Sequence, residues 1–175
     1  MFNLKNLSGE KLILFAIGGF TLLVLLVIVI FAVNEGKGSV SSQTANFAKS
    51  DSDRPKATAV SAFQDLGKMN VNDEKAAEFS IKNDGTKPLT LFKLSTSCDC
   101  TFAKLDINGQ ISPEFTMHSK SDWKTEIAPG DTAKLVVTYR PFIMPVKGIV
   151  SRQASLSTND PDNETLIFTI NATVE

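Results

Sequence analysis

The sequence predicts an all-β protein, an antiparallel β-sandwich of about seven strands, preceded by one transmembrane helix. Three observations support this fold class: one long uncharged apolar run near the N-terminus, segments after it in which apolar and polar residues alternate, and turn-forming clusters between those segments. The length of 175 residues suits one domain with appendages. The net charge is −1 and the basic residues are scattered. This pattern argues against a nucleic-acid partner, which would require a basic surface.

The apolar run "LILFAIGGFTLLVLLVIVIFAV" at 12–33 is 22 residues long and contains no charge. As a helix it would be about 33 Å long, which matches the thickness of a bilayer core. A cleavable signal peptide has a shorter apolar region and small residues before its cleavage site. The run therefore predicts an uncleaved signal-anchor helix. A slight lysine bias places a short N-terminus, 1–11, in the cytoplasm. Residues 34–175 are then expected outside the inner (cytoplasmic) membrane, in the periplasm or the extracellular space.

Two regions follow the predicted membrane helix. Residues 34–55 are rich in Gly, Ser, Asn, Asp and Lys and offer little to bury, which is typical of a flexible linker. Residues 56–175 are predicted to form the β-sandwich, because a domain of about 120 residues has enough core to be stable alone.

Alternation identifies the strands of this domain. In "KAAEFSIKN", Ala77, Phe79 and Ile81 share one face, while charged and hydroxyl side chains occupy the other. The turn sequences "NDGTKP", "APGD" and "NDPDN" separate such segments. Strands are predicted near 58–64, 75–83, 89–96, 123–127, 132–140, 149–157 and 165–174.

Four sequence segments in order resemble a known family. They are the strand pair "FSIKNDGTKPL", the corner "TSCDCT", the turn "IAPG" and the late turn "TNDP". Together they resemble the bacterial domain-of-unknown-function family fifteen seventy-three, which is related to the immunoglobulin-like domains of Hydin and the major sperm protein. The resemblance covers roughly 62–174. It implies an immunoglobulin-like fold, an exported location and no established enzymatic activity.

The chain departs from the pattern of that family in two places. Asp99 stands between the two cysteines, where the family commonly has Gly, and the segment 102–126 is longer than the usual link to the "IAPG" turn. This segment holds the only Trp, Trp123, and the only His, His118. Because loops on a rigid scaffold commonly carry recognition, we expect this insertion to be the specificity element.

The cysteines Cys98 and Cys100 allow several interpretations. In an extended strand, side chains two residues apart lie about 6.6 Å apart, beyond the roughly 3.5 to 4.5 Å between Cβ atoms that a disulfide requires. A disulfide between them therefore needs a local turn, which Asp99 is suited to form. Thiol redox chemistry is disfavoured, because the sequence shows neither a neighbouring cation nor a helix N-terminus to stabilise a thiolate. A purely structural pair at a sandwich corner remains equally open.

Metal binding is the second chemical alternative. Thiolates suit Cu(I) and Zn(II), and a set of Cys98, Cys100 and His118, with Met117 and Met144 nearby in the sequence, could supply ligands. The spacing fits no standard zinc pattern.

The late turn "STNDPDNE" also has oxygen ligands suited to Ca²⁺, although a hairpin turn needs the same residue types. No nucleophile and base pair or phosphate loop stands out. The sequence thus predicts a membrane-anchored, non-catalytic envelope module without a cofactor, which binds a protein partner. An envelope metal-binding or thiol-redox protein that uses the two cysteines is the alternative.

Overall fold

A computed structural model describes residues 17–27, 46–119 and 122–175, which fall into two compact units, Met1–Gln43 and Thr44–Glu175. In the first unit, residues 17–27 form helix α1, with exposed apolar side chains. No helix within the described residues is long and apolar enough to cross a membrane. The predicted N-terminus 1–11 and the remainder of the predicted span 12–33 lie outside the described residues.

The second unit is a β-sandwich. Over residues 46–119 and 122–175 it contains two five-stranded sheets. The first sheet has the order β1-β3-β8-β5-β6, and the second has the order β2-β10-β9-β4-β7. The strands are β1 Ala57–Ala59, β2 Phe63–Met69, β3 Lys75–Asn83, β4 Leu89–Thr96, β5 Thr101–Ile107, β6 Gln110–Ile111, β7 Lys124–Ile127, β8 Thr132–Tyr139, β9 Gly148–Thr158 and β10 Thr165–Val174.

One hydrophobic core fills the space between the two sheets. The alternation predicted for β3 is confirmed, because Ala77, Phe79 and Ile81 are all buried while the residues between them are exposed. Across the core, the ring of Phe79 lies 5.0 Å from the ring of Phe168 in the other sheet, measured between centroids. Such contacts stabilise the sandwich chiefly by removing apolar surface from water, at about 25 cal/mol for each Å².

The strand count differs from the prediction of about seven. The predicted strand 58–64 corresponds to two strands, β1 and β2, which lie in different sheets. Most of β5 and all of β6 lie in the segment 102–126, which we expected to be a recognition insertion, in addition to most of the predicted strand β7. Strand β5 pairs with β8 and buries Ala103 and Leu105 completely. That expectation is corrected for residues 101–107, because they form part of the core sheet.

The domain also begins earlier than predicted. Residues 46–55 were assigned to the linker, but the side chain of Arg54 reaches the far turn of the sandwich, where Nη1 lies 3.1 Å from Asp160 Oδ1. Pro55 is buried. An ion pair of this kind holds the segment against the domain. The earlier part of the predicted linker, up to residue 45, lies outside the described residues.

Candidate functional site

The corner that follows β4 contains a disulfide between Cys98 and Cys100. The chain turns here, since Thr101 N donates a 3.0 Å hydrogen bond to Cys98 O. The turn brings the two Cα atoms to 5.1 Å, which lies within the usual range for a disulfide. An extended strand could not have done this, so the local turn is what allows the bond.

Hydrogen bonds fix this corner to its neighbours. The hydroxyl of Thr96 donates to Cys98 O at 2.9 Å and to Thr101 O at 2.8 Å, both within the buried interior. Cys100 O accepts a 2.9 Å hydrogen bond from Arg140 N, just beyond the end of β8. The corner is therefore anchored by the Thr96 side chain of β4 and by the backbone after β8, and it does not depend on the disulfide alone.

The two sulfur atoms have different surroundings. Cys98 is 8% exposed, and its Sγ lies 3.7 Å from the Sδ of Met144, a half-exposed residue. Cys100 is fully buried, and its Sγ lies 3.4 Å from Nε of Arg152. The structure therefore supplies a cation beside one sulfur, contrary to the expectation from the residues next to the cysteines in the sequence.

Arg152 lies in β9 and is held by two further contacts. Its Nη1 donates a 3.0 Å hydrogen bond to Ser151 O, and its guanidinium carbon lies 5.6 Å from the ring centroid of Tyr139. The Tyr139 hydroxyl is buried and has no hydrogen-bond partner among the described residues. Alternation along β9 could have revealed Arg152, because it occupies the same side of the strand as the buried Ala154.

His118 lies close to the corner but on its solvent side. Its Nε2 is 3.4 Å from Asp99 Oδ2, and its side chain is largely exposed. Within residues 17–27, 46–119 and 122–175, no group of three or more His, Cys, Asp or Glu side chains could hold a metal ion. A disulfide also leaves no thiolate to bind a metal. The metal set Cys98, Cys100 and His118 thus stays a prediction for the reduced chain.

The segment between β8 and β9 presents apolar side chains to solvent beside the disulfide. We call residues 141–149 the apolar loop; it opens with a short 3₁₀ helix, Pro141–Ile143, and includes the first two residues of β9. Contiguous exposed apolar side chains of this kind mark interaction surfaces more often than isolated ones do. Its exposed large apolar residues are Phe142, Ile143, Met144, Val146 and Ile149.

The turn 159–163, considered as a calcium site, has a structural role. The carboxylate of Asp160 is fully buried and accepts hydrogen bonds from Arg54, Ala57 N, Asp162 N and Asn163. These donors already occupy its oxygens. The hydrogen bond from Arg54 also lowers the pKa of the exposed Asp162 carboxyl below its ordinary value.

Two residues of the "FSIKNDGTKPL" segment explain why the turn 83–88, between β3 and β4, is tight. Asn83 is fully buried, and its Nδ2 donates to Lys87 O at 2.8 Å and to Ile127 O at 3.0 Å. A Cβ at Gly85 would lie 2.5 Å from Lys56 N, so only glycine fits there. The segment that carries the family resemblance therefore serves the fold.

The two sheets and the bonded corner define the class of this protein: a β-sandwich domain built from two five-stranded sheets. The chain belongs to the family described as "Protein of unknown function (DUF1573)", which matches residues 58–174. The resemblance inferred from the sequence is thereby confirmed. No curated protein matches the chain.

The chain is similar to solved structures at low sequence identity. A protein of unknown function from Porphyromonas gingivalis W83 is 21% identical with a TM-score of 0.54, and the match covers 70% of this chain and 48% of that one. The chain thus spans about half the length of that protein. The human CEP192 ASH/PapD-like domain 7 is 15% identical with a TM-score of 0.48, covering 78% of this chain and 96% of that domain.

Proposed function

We propose that this chain is a non-catalytic binding module of the cell envelope, anchored in the membrane by residues 12–33 and carrying its sandwich domain outside the cytoplasm. The charge-free length of 12–33 supports the anchor. The Cys98 to Cys100 disulfide supports the location, because disulfides persist in oxidising compartments outside the cytosol. The partner is a protein.

The observation that carries the binding function is the apolar loop. Its large side chains are well exposed, with Phe142 at 46%, Met144 at 53% and Ile149 at 84%. Leaving such side chains in water costs the apolar transfer free energy, which a partner surface would recover on binding. The loop is held at both ends by core strands, β8 and β9, so it is presented on a rigid scaffold.

The charge pattern around the loop indicates the kind of protein segment that would bind. The apolar loop, residues 141–149, contains one basic residue, Lys147, and no acidic residue. A partner segment that combines apolar side chains with a carboxylate would complement both features, since charge complementarity guides association and apolar burial supplies affinity. We commit to this occupant, an acidic and apolar protein segment.

Site-directed crosslinking tests the binding function. A photoreactive residue replaces Ile143 in the full chain expressed in cells, and a matched chain carries it at Ile111, an exposed apolar position on β6. The protein crosslinked only from position 143 is identified and purified. Its affinity for the full chain should fall at least about tenfold for Phe142→Ser with Met144→Ser, and should not change for Ile111→Ser.

Other occupants would contradict the proposal. Crosslinks from position 143 only to lipid, or only to a second copy of the chain, would exclude a protein segment of another molecule as the partner. Equal losses of affinity for the two sets of variants would remove the apolar loop from the interface.

The location has its own test. A reporter that is active only outside the cytoplasm is fused after residue 175, in the full chain and in a chain whose apolar run 12–33 is interrupted by several lysines. Activity is expected in the first fusion and not in the second. Activity in both would show that the run is not required for export.

A further inference from the structure

We propose that the disulfide at the corner undergoes thiol–disulfide exchange with a dithiol, with Cys98 as the attacked sulfur and Cys100 as the leaving thiolate stabilised by Arg152. This chemistry goes beyond the binding function and does not depend on it. Three features support it: the unequal access to the two sulfurs, the cation beside the buried one, and the small structural value of the bond.

The unequal access sets the direction of attack. Cys100 is fully buried, whereas Cys98 is 8% exposed and contacts Met144 of the apolar loop, a side chain that is itself 53% exposed. Both cysteines are buried, but an incoming thiolate reaches the Cys98 sulfur by displacing the half-exposed Met144 side chain, whereas the Cys100 sulfur lies within the core. Attack at one sulfur determines which sulfur leaves, because exchange passes through a mixed disulfide at the attacked atom.

The leaving sulfur has the stabilising group. Arg152 Nε lies 3.4 Å from Cys100 Sγ, and a nearby guanidinium favours the thiolate over the thiol. The guanidinium is positioned by Ser151 O and the ring of Tyr139. The negative charge of Asp99, which argues against a thiolate in the sequence, lies 3.4 Å from His118 Nε2 on the solvent side.

The attacked sulfur also has a donor. The backbone N–H of Cys100 donates to Cys98 Sγ at 3.1 Å, so this sulfur is stabilised as a thiolate when it leaves in turn. The corner is held by Thr96 and by the Arg140 backbone independently of the disulfide. The reduced chain can therefore keep the same fold.

The electron balance is that of a dithiol oxidation. The first thiolate of the dithiol attacks Cys98 Sγ, the Cys98 to Cys100 bond breaks, a mixed disulfide forms and Cys100 leaves as a thiolate. The second thiol of the dithiol loses its proton, and its thiolate attacks the dithiol's own sulfur in the mixed disulfide, which breaks the bond to Cys98 and releases Cys98 as a thiolate. The dithiol loses two electrons and two protons and becomes a disulfide. The two cysteines gain the two electrons, and the two protons pass to their thiolates or to solvent.

The structural value of the bond is small. Cys98 and Cys100 are separated by two positions, so the bond closes a very short loop and restricts the unfolded chain little. The bond adds little stability, and a cation lies beside only one of its sulfurs. Thiol–disulfide exchange explains this arrangement better than a purely structural role does.

Redox equilibration tests the proposal. The full chain is equilibrated at about pH 9.5, above the ordinary thiol pKa of about 8.5, with reduced and oxidised dithiothreitol at varied ratios. It is then alkylated and weighed by mass spectrometry, with circular dichroism recorded in parallel. We expect two alkylated cysteines while the β-sheet signal is retained. For Arg152→Gln, half-reduction should need about a tenfold higher ratio of reduced to oxidised reagent, equivalent to about one pKa unit of thiolate stabilisation.

Matched variants separate charge from folding. Lys147→Gln removes a nearby cation in the apolar loop and should leave the ratio unchanged, while Arg152→Lys keeps a cation and should lie nearer the wild type. Phe142→Ser should also keep the wild-type ratio, which distinguishes exchange from partner binding. An unchanged ratio in Arg152→Gln, or reduction only on unfolding, would overturn the proposal.

Single-cysteine chains test the direction of attack. In the folded state, Cys100→Ser leaves Cys98, the less buried sulfur, and should react with an aromatic disulfide reagent at least about tenfold faster than Cys98→Ser, which leaves the fully buried Cys100. Equal rates would contradict Cys98 as the attacked sulfur.

Discussion

At the scale of single residues, the clearest structural role belongs to a buried carboxylate. Asp160 is fully buried, yet its two oxygens accept hydrogen bonds from Arg54, Ala57 N, Asp162 N and Asn163. Burying a charge is costly unless it is paired and hydrogen-bonded, and here both conditions are met. The sequence presented this residue as a turn former or a calcium ligand. In the folded chain, the Asp160 carboxylate joins segments that are 103 to 106 positions apart in the sequence. This role depends on the tertiary fold.

Replacing Asp160 tests this role. Asp160→Ala leaves Arg54 without its buried partner, and we expect a loss of about 3 to 5 kcal/mol in the free energy of unfolding. Asp65→Ala is the matched control, because Asp65 is exposed and accepts one hydrogen bond, from Gly67 N. Asp65→Ala should lower the free energy of unfolding by about 1 kcal/mol. Denaturant titration of both variants measures the difference, and equal costs would contradict the role of Asp160.

At the scale of elements, the strand β5 is the main feature that was not predicted. Its sequence "TFAKLDI" does alternate, and Ala103 and Leu105 are fully buried as that alternation requires. The signal was present but short, and it followed directly on a cysteine corner that suggested an inserted loop. Hydrogen bonding to β8, about thirty residues later, is what makes the segment a strand.

A pair of substitutions distinguishes a core strand from an insertion. Leu105→Ala should lower the free energy of unfolding by about 2 to 5 kcal/mol, because it leaves a cavity in the core. Ile111→Ala on β6, where the side chain is 65% exposed, should change it by no more than about 0.5 kcal/mol. Urea unfolding of both variants provides the comparison. A small effect of Leu105→Ala would show that β5 contributes little to the core.

The cysteine corner is the second element whose stability can be measured. By the loop-entropy relation, a disulfide between residues two apart contributes only about 1 to 2 kcal/mol. Replacing both Cys98 and Cys100 by Ala should therefore lower the free energy of unfolding by no more than about 2 kcal/mol beyond the loss in side-chain volume. Urea unfolding measures this cost in the full chain. A much larger loss in the free energy of unfolding would show that the disulfide is a main source of the stability of the fold.

At the scale of the whole molecule, the two sheets share one core and are joined at their ends by polar contacts. Exposed carboxylates contribute to the pH dependence of stability. The Lys82 ammonium, 2.6 Å from Asp84, lowers the pKa of that carboxyl below its ordinary value of 3.8, and Arg54 does the same for Asp162. A lowered folded-state pKa favours the folded state only while the carboxyl is ionised.

Acid titration tests this dependence. The contribution of Asp162 is fully present above its unfolded value of about 3.8 and is lost as the pH falls below that value through the folded-state pKa. The midpoint of thermal unfolding should therefore fall as the solution becomes more acidic than this. Asp162→Asn should show a shallower fall than the wild type. Parallel curves for the two proteins would remove Asp162 as a contributor.

The sequence by itself determined the fold class, most strand positions and the turns, because a sandwich strand must place every second residue in the core and each reversal needs residues suited to it. The family resemblance was also readable from local segments. The pairing of β5 with β8 and the contact of Arg152 with Cys100 were decided only by the tertiary structure. The partners in these contacts are tens of residues apart, and no local pattern records which ones will meet.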